Sequence, residues 1–292
     1  GRQLFEFRRV VAVANREDAI DVLAKPDSRR PATHMRIDAK GSVVFLYPGG
    51  GAQYVGMARD LYAREKIFRA AVDEGLGYLP ADAARELRRI WLDEQDASAG
   101  DAAALLMKPS KQLPAILILE VALTRLWMSW GVTPSALIGH SMGENTAACI
   151  AGVMSFESAV NLVHLRGQLV DEITGGAMLS VPLSAREVEA RLPSTLELAV
   201  VNAPELCVVT GAAVDIEAFR EALVADGVDA ARIPIDAAGH SRLLDPILDR
   251  FEAFLLRTPL SAPRLPIVSN LTGAWLKPQD ALCQIGPLNP NQ

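Results

Sequence analysis

The sequence contains few cysteines, histidines and aromatic residues. It has 3 cysteines and 4 histidines, and aromatic residues make up 5% of the chain. Cys149, Cys207 and Cys283 are odd in number, lie far apart in apolar surroundings and lack the spacing of metal ligands. This pattern excludes a disulfide framework and indicates reduced core thiols, as in cytoplasmic proteins. We expect no metal site.

Excess positive charge and long uncharged apolar runs are also lacking. The formal net charge is −6 and the pI is about 5.4, which argues against a nucleic-acid partner. The most apolar stretch, 113–130, contains Glu120 and Arg125 and has a period of 3.6 residues, so we expect a core helix and no membrane partner. Because the chain starts with neither a signal peptide nor methionine, we expect a piece of a larger cytoplasmic protein.

The remaining composition suits a full α/β core. The chain has 292 residues, of which 50% are hydrophobic and 22% charged, enough for one large domain with a smaller one. Residues 177–235 have the element order β-α-β-β-α-β, which is that of ferredoxin-like folds. In the rest of the chain the pattern predicts a strand, several helices and an exposed loop: strand 43–47, helices near 55–76 and 83–92, loop 93–101 and helix 112–130.

A serine lies between two glycines in Gly139-His140-Ser141-Met142-Gly143. An apolar strand precedes this run and a helix-forming segment follows it. Glycines allow the sharp turn and the close approach of the helix to the sheet, so Ser141 projects alone in front of the free N–H groups of the helix N-terminus. This is the pattern of a nucleophile elbow.

A second glycine-rich turn, 48–53, follows the predicted strand 43–47. The turn lacks the sequence of a phosphate-binding P-loop and the spacing of a dinucleotide site. On composition alone it is either an ordinary flexible turn or an oxyanion-binding turn. Beside an elbow, one of its N–H groups and that of Met142 could stabilise the oxyanion formed when Ser141 attacks a carbonyl.

A nucleophilic serine requires a base, and histidine is the usual one. His34 lies in a basic loop, the side chain of His140 points away from that of Ser141, and His164 falls on the polar face of its helix. His240 follows a strand-like run, at a position where sites gather in α/β folds. Although a lone histidine is more often structural, elimination favours His240 as the base.

Arg166 falls near the middle of the apolar face of helix 155–173. One interpretation is an arginine that extends to the surface or pairs with a buried carboxylate. The other is an anchor for a substrate carboxylate, because a planar guanidinium binds a carboxylate through two hydrogen bonds. Periodicity alone favours neither.

Taken in order, these motifs resemble the acyltransferase domain of modular polyketide synthases, a relative of malonyl-CoA:acyl-carrier-protein transacylases. The resemblance covers residues 42–273 and includes the turn 48–53, the elbow 139–144, Arg166-Gly167, His240 and the segment 269–273. The fold class expected is α/β, with a serine-elbow parallel-sheet core and an inserted ferredoxin-like α+β subdomain. The expected divisions are a ketosynthase–acyltransferase linker end (1–41), a core (42–176 and 236–292) and the inserted subdomain (177–235).

The resemblance implies transfer of a malonyl-type extender unit from coenzyme A to the phosphopantetheine thiol of an acyl carrier protein, through an acyl-serine. It also implies that no cofactor is bound, that a main-chain carbonyl orients the histidine, and that a neighbouring ketosynthase belongs to the same polypeptide. The implied site residues are catalytic Ser141 and His240, oxyanion-hole Gly50 and Met142, and substrate-binding Arg166, Gln53, His140 and Asn202.

Three features depart from the family pattern. Gly50 stands where most relatives have glutamine, but the family uses the backbone N–H of that residue. The run Ala237-Ala-Gly-His240 matches neither the usual malonyl nor the usual methylmalonyl version, which leaves the extender unit open. After Gly273 the pattern fades, so we expect a truncated C-terminus without the segment that supplies the carbonyl for the histidine.

Two alternatives stay open. A patatin-like lipid hydrolase also combines a glycine-rich oxyanion turn with an elbow serine, but its base is an aspartate in an Asp-Gly-Gly/Ala segment. The nearest match, 226–228, lies inside the predicted insert, and an arginine suits a fatty chain poorly. The second alternative is an inactive, truncated domain that serves as a structural spacer.

Overall fold

The first 42 residues form a unit of their own, separate from 43–292. A computed structural model describes residues 7–25, 30, 32–35, 41–93, 99–233 and 240–282. In the first unit, β1 (Phe7–Val10) pairs antiparallel with β2 (Ala32–Met35), and α1 (Arg16–Ala24) lies between them in the chain. His34 therefore belongs to a strand and not to the predicted loop, because its backbone pairs with that of Arg8.

A parallel sheet forms the centre of the second unit. Its strands are β3 (Val44–Tyr47), β4 (Ala136–Gly139) and β9 (Ile267–Val268), in the order β3-β4-β9. Strand β4 is the middle strand, and its last residue pairs with Tyr47 at the end of β3. The carboxyl ends of both strands thus meet at one edge, where ligand sites occur in parallel α/β sheets.

Helices pack around this sheet and bury most of the apolar side chains. The predicted helix 55–76 is split at Glu65, whose backbone is extended, and the Arg69 side chain donates to the Tyr62 carbonyl near the break. The predicted loop 93–101 is shorter than expected, because residues 99–101 already belong to a helix; residues 94–98 lie outside the described residues. The core helices are α2 (Arg59–Arg64), α3 (Lys66–Gly77), α4 (Ala81–Trp91), α5 (Ala99–Leu106), α6 (Pro109–Ser129), α7 (Gly143–Ala151), α8 (Phe156–Asp171) and α11 (Asp245–Leu255).

Helix α6 is long and apolar because it crosses the core. Among the described residues it is the one helix that meets the length and composition of a membrane span, but 67% of its apolar window is buried inside the protein. It packs chiefly against α8 and α3. This burial agrees with the core helix expected from its periodicity.

Residues 176–232 contain a second, antiparallel sheet with its own small core. The strand order β6-β7-β5-β8, with one helix after β5 and one after β7, is that of a ferredoxin-like fold. The predicted last strand, 231–235, is observed for two residues, and 234–239 lie outside the described residues. The elements are β5 (Gly176–Val181), α9 (Ala185–Glu189), β6 (Leu196–Ala203), β7 (Leu206–Ala212), α10 (Ala213–Ala225) and β8 (Ala231–Arg232).

Candidate active site

Ser141 lies in the turn between β4 and α7, at the carboxyl edge of the parallel sheet. Its backbone is left-handed, with φ of 50°, which is uncommon for a residue with a side chain. A Cβ atom at Gly143 would overlap the Tyr47 carbonyl of β3, and one at Gly139 would overlap the backbone of the first turn of α7. Both glycines are therefore required by close approach. The His140 N–H donates to the Tyr47 carbonyl at 2.8 Å and fixes the turn to β3.

The hydroxyl of Ser141 lies within hydrogen-bond distance of an imidazole. The distance from Ser141 Oγ to His240 Nε2 is 3.2 Å, although the two residues are 99 positions apart in the chain. Burial lowers the pKa of His240 to about 4, and the positive charge of Arg166 adds to this effect. The imidazole is therefore neutral at pH 7, the form that accepts a proton from a serine.

The glycine-rich turn packs directly against the elbow. A Cβ atom at Gly49 would lie 3.3 Å from the Cβ of Ser141. Within the described residues, neither the Gly50 N–H nor the Met142 N–H has a hydrogen-bond partner in the protein. Free backbone N–H groups beside a nucleophile are the usual donors of an oxyanion hole.

Gln112 is a residue that the sequence analysis missed. Its side chain is buried, donates to the Met107 carbonyl at 2.7 Å and occupies the space that a side chain at Gly50 would need. An amide from α6 thus lies directly beside the backbone of Gly50. Since Gln112 lies in a long apolar helix, nothing in the linear sequence distinguishes it from an ordinary helix residue.

Arg166 is buried on the inner face of α8, as the periodicity predicted. Its exposed fraction is 8%, and its Nε and Nη1 atoms have no hydrogen-bond partner among the residues that the structure describes. Burial lowers its pKa to about 10, and the nearby charge of Glu144 partly opposes this shift. Among the described residues no carboxylate forms an ion pair with it, and only a small part of it is exposed.

Gly167 explains how Arg166 is brought to this position. A Cβ atom there would lie 2.5 Å from the Pro109 carbonyl oxygen at the start of α6. Because Gly167 has no side chain, α8 can approach α6 closely. In the Arg-Gly pair, Gly167 therefore permits the helix packing, while Arg166 supplies the buried guanidinium.

A cleft of about 660 Å³ opens in front of Ser141. The elbow and residues 268–271 form one wall, and β6 of the small sheet forms the other. His140 Nε2 lies 2.9 Å from Asn202 Oδ1, so this pair bridges the two walls. Gln53 does not line this cleft; its amide accepts from the Gly51 N–H at 2.9 Å and holds the glycine-rich turn.

His164 lies on the polar face of α8, as predicted, in a pocket that Gln168 and Asp171 also line. This face is nevertheless covered, and only 8% of His164 is exposed. Burial lowers its pKa, and the charge of Lys111 adds to this effect. Helix α6 begins over this part of α8, which one helix's periodicity cannot reveal. In the part of the chain that the structure describes, no three His, Cys, Asp or Glu side chains are grouped to hold a metal ion.

Asn270 contacts the elbow, although the sequence assigned it no role. Its Nδ2 donates to the Gly139 carbonyl at 2.6 Å, and its Oδ1 accepts from the Ser141 N–H at 3.0 Å. Its backbone N–H donates to Glu144 Oε1 at 3.0 Å. Burial raises the pKa of this glutamate, while the bonds from Asn270 oppose the rise.

Comparisons with known proteins agree with this architecture. The family profile described as "Acyl transferase domain" matches residues 44–281. Mycoketide-CoA synthase of Mycobacterium tuberculosis is 35% identical over 278 residues, which are 94% of this chain and 6% of that protein. The chain thus spans a small part of this curated relative.

Solved structures show the same fold. The acyl transferase domain of ZmaA superposes with a TM-score of 0.87 at 34% identity, covering 99% of this chain and 66% of that one. The malonyl CoA-acyl carrier protein transacylase of Coxiella burnetii has a TM-score of 0.72 at 26% identity, covering 82% and 78%. The predicted α/β fold class and the family resemblance are confirmed, and the chain belongs to the acyl transferase domain family.

Proposed function

We propose that this domain transfers a malonyl-type extender unit from coenzyme A to the phosphopantetheine thiol of an acyl carrier protein, in polyketide biosynthesis. One arrangement carries the proposal: a buried Arg166 guanidinium that forms no ion pair among the described residues, on the face of α8 near Glu144 of the elbow, in a chain whose Ser141 Oγ lies 3.2 Å from His240 Nε2. A buried guanidinium without an anion is costly, and a dicarboxylic substrate would supply the anion.

The chemistry follows from the proposed roles. As Ser141 Oγ attacks the thioester carbon, His240 Nε2 takes the hydroxyl proton. The N–H groups of Gly50 and Met142 stabilise the oxyanion. Collapse of this intermediate breaks the carbon–sulfur bond, and His240 gives the proton to the leaving thiolate. The carrier protein's thiol then attacks the acyl-serine by the same steps in reverse.

The other predicted residues have supporting roles in this proposal. His140 and Asn202 bridge the cleft that admits the pantetheine arm, and Gln53 keeps the glycine-rich turn in shape. Coenzyme A enters as substrate and no resident cofactor is needed. Residues 1–41 link the domain to a ketosynthase of the same polypeptide, and the free thiols Cys149 and Cys207 suit a cytoplasmic location.

Intact-mass measurement after incubation with malonyl-CoA tests the proposal. We expect one malonyl adduct on the wild-type protein and none on Ser141→Ala, with loss of the adduct when a phosphopantetheinylated carrier protein is added. A lipid hydrolase would instead release fatty acid from a lipid ester and form no malonyl adduct. An inactive spacer would form neither product.

A further inference from the structure

Strand β9 ends at the point where the nucleophile turn begins. Leu137 and Ile138 of β4 pair with Ile267 and Val268 of β9. Beyond Val268 the chain turns back on itself: the Ser269 N–H donates to the Ala274 carbonyl at 2.9 Å. The backbone ladder along β4 therefore stops before the residues that flank Ser141.

The side chain of Asn270 continues this ladder. Its amide donates to the Gly139 carbonyl and accepts from the Ser141 N–H, at 2.6 and 3.0 Å. These two backbone groups lie on either side of His140. A planar amide offers one donor and one acceptor, as a backbone peptide group does. Asn270 thus satisfies the two groups that the end of β9 leaves without a strand partner.

The turn that carries Asn270 is itself held by side chains. The Leu271 N–H donates to Ser269 Oγ at 3.2 Å, and the Ala274 N–H donates to Thr272 Oγ1 at 3.3 Å. Gly273 has φ of 64°, a conformation that glycine adopts most easily. Ser269 and Thr272 therefore stabilise the turn that places the amide of Asn270 against the elbow.

Ser141 requires such support because its own backbone conformation is unfavourable. A non-glycine residue with φ of 50° persists only where its surroundings fix it. Asn270 holds the turn on the sheet side, and its N–H donates to Glu144 in the first turn of α7 at 3.0 Å. One residue thus binds the turn before, at and after the serine.

We propose that Asn270 is a positioning residue that holds the backbone of Ser141 in its left-handed conformation, so that Oγ stays aligned with His240. This inference rests on the proposed nucleophilic role of Ser141. It concerns the alignment of the serine and not the recognition of the acyl group. Loss of the Asn270 side chain should therefore slow the reaction of Ser141 Oγ with every reagent to the same degree.

The test compares Asn270→Ala with wild type in two assays. One is single-turnover acylation by malonyl-CoA, and the other is labelling of Ser141 by a fluorophosphonate, which needs no acyl-group recognition. We expect the first-order rate constant to fall about 10-fold to 100-fold in both, since misplacement by about 1 Å costs about 100-fold. KM for malonyl-CoA should change less than the rate, and labelling should still reach one adduct per chain.

Trp275→Ala is the matched control, because Trp275 lies in the same hairpin and is 61% exposed. This substitution should leave both rates unchanged.

The variant Asn270→Asp adds a pH-dependent readout. A protonated carboxyl group can donate to the Gly139 carbonyl and accept from the Ser141 N–H, whereas the ionised form cannot donate. We expect the wild-type-to-variant rate ratio to shrink as pH falls. The other titratable groups around the elbow, Glu144, Arg166, His140 and His240, are present in both proteins.

Three outcomes would overturn the inference. These are unchanged rates in Asn270→Ala, a lower final stoichiometry with an unchanged rate in the labelled fraction, and a pH-independent ratio for Asn270→Asp. The second would mean that Asn270 only stabilises the fold.

The proposed function can fail independently of this inference. Wild-type protein that reacts with the fluorophosphonate at Ser141 but not with malonyl-CoA would refute the proposed acyl substrate and leave the role of Asn270 intact.

Discussion

Single residues of the site are held in states that a free chain would avoid. Ser141 and His240 both have left-handed backbones, with φ of 50° and 60°. Arg166 is buried, and two of its nitrogen atoms have no hydrogen-bond partner in the described part of the chain. Strain and incomplete pairing of this kind gather at functional sites, because the surrounding fold offsets their cost. These residues are the ones where substitution should affect activity more than folding.

We expect Arg166 to make the domain selective for acyl groups that carry a second carboxylate over simple acyl groups such as acetyl. A guanidinium and a carboxylate that form two charge-assisted hydrogen bonds in a desolvated site contribute roughly 2 to 5 kcal/mol to binding. Arg166→Ala should therefore lower kcat/KM for malonyl-CoA by about 30-fold to several thousand-fold. Acetyl-CoA should be transferred at an equal or higher rate, because an unpaired buried charge is removed.

The control for this prediction is Arg166→Lys, which should restore activity only in part because a point charge lacks the planar fork. Steady-state kinetics with both thioesters on both variants provide the measurement. Equal loss with malonyl-CoA and acetyl-CoA would mean that Arg166 supports α8 and not the substrate.

The pKa of His240 predicts an unusual pH profile. Because burial and the charge of Arg166 lower this pKa to about 4, the neutral base persists well below pH 6.5. The acylation rate should stay level from pH 7 to about 5 and fall as pH approaches 4. In Arg166→Ala the fall should begin at higher pH, because a positive neighbour that opposes protonation is gone.

Single-turnover fluorophosphonate labelling between pH 4 and 8 measures this profile without needing a malonyl group. A half-maximal rate near pH 6.5 in the wild-type protein would contradict the prediction, and so would an identical profile in the variant.

At the scale of elements, α6 carries a buried acid inside the core. Glu120 is 5% exposed, and its Oε2 accepts from the Thr146 hydroxyl of α7, while Oε1 has no hydrogen-bond partner among the described residues. Burial raises its pKa to about 8, from the ordinary 4.5. The folded protein therefore takes up a proton at this site, and stability is lost as pH rises from about 4.5 to about 8.

Glu120→Gln should remove this pH dependence, since an amide accepts from Thr146 without an ionisation cost. We expect the Tm difference between variant and wild type to grow from pH 5 to pH 8, in favour of the variant. Thermal unfolding of both proteins and of Glu157→Gln, an exposed site on α8, checks this. A difference that is constant with pH would show that Glu120 ionises normally in the folded protein.

At the scale of the whole molecule, the cleft depends on two cores that meet at the serine. The elbow belongs to the parallel sheet, and Asn202 belongs to β6 of the small sheet. The 2.9 Å contact between His140 and Asn202 joins them across the cleft. Sites between two cores are common, because each side presents part of the wall.

Asn202→Ala should therefore weaken substrate binding more than chemistry. The net contribution of one such hydrogen bond is about 0.5 to 1.5 kcal/mol, so KM for malonyl-CoA should rise about 2-fold to 10-fold with kcat nearly unchanged. Glu205→Ala, exposed in the loop after β6, is the control. A fall in kcat with KM unchanged would place Asn202 in the chemical step.

Residue patterns within short segments of the sequence determined much of the secondary structure and part of the candidate site. The glycines of the elbow, the strand before it and the helix after it are contiguous, so their geometry follows from turn sterics and periodicity. The same holds for the ferredoxin-like element order and for the position of Arg166 on the inner face of α8. These features depend on neighbours within a few residues, which a linear sequence contains.

Tertiary structure decided what depends on distant chain segments. His164 is buried because α6 begins over it, Gln112 fills the space beside Gly50, and Asn270 contacts the elbow from the turn after β9, about 130 positions away. Periodicity likewise left pairing and substrate binding of Arg166 equally open, and only its surroundings show that it forms no ion pair among the described residues. Such contacts arise from three-dimensional packing, whose partners no single-segment pattern identifies.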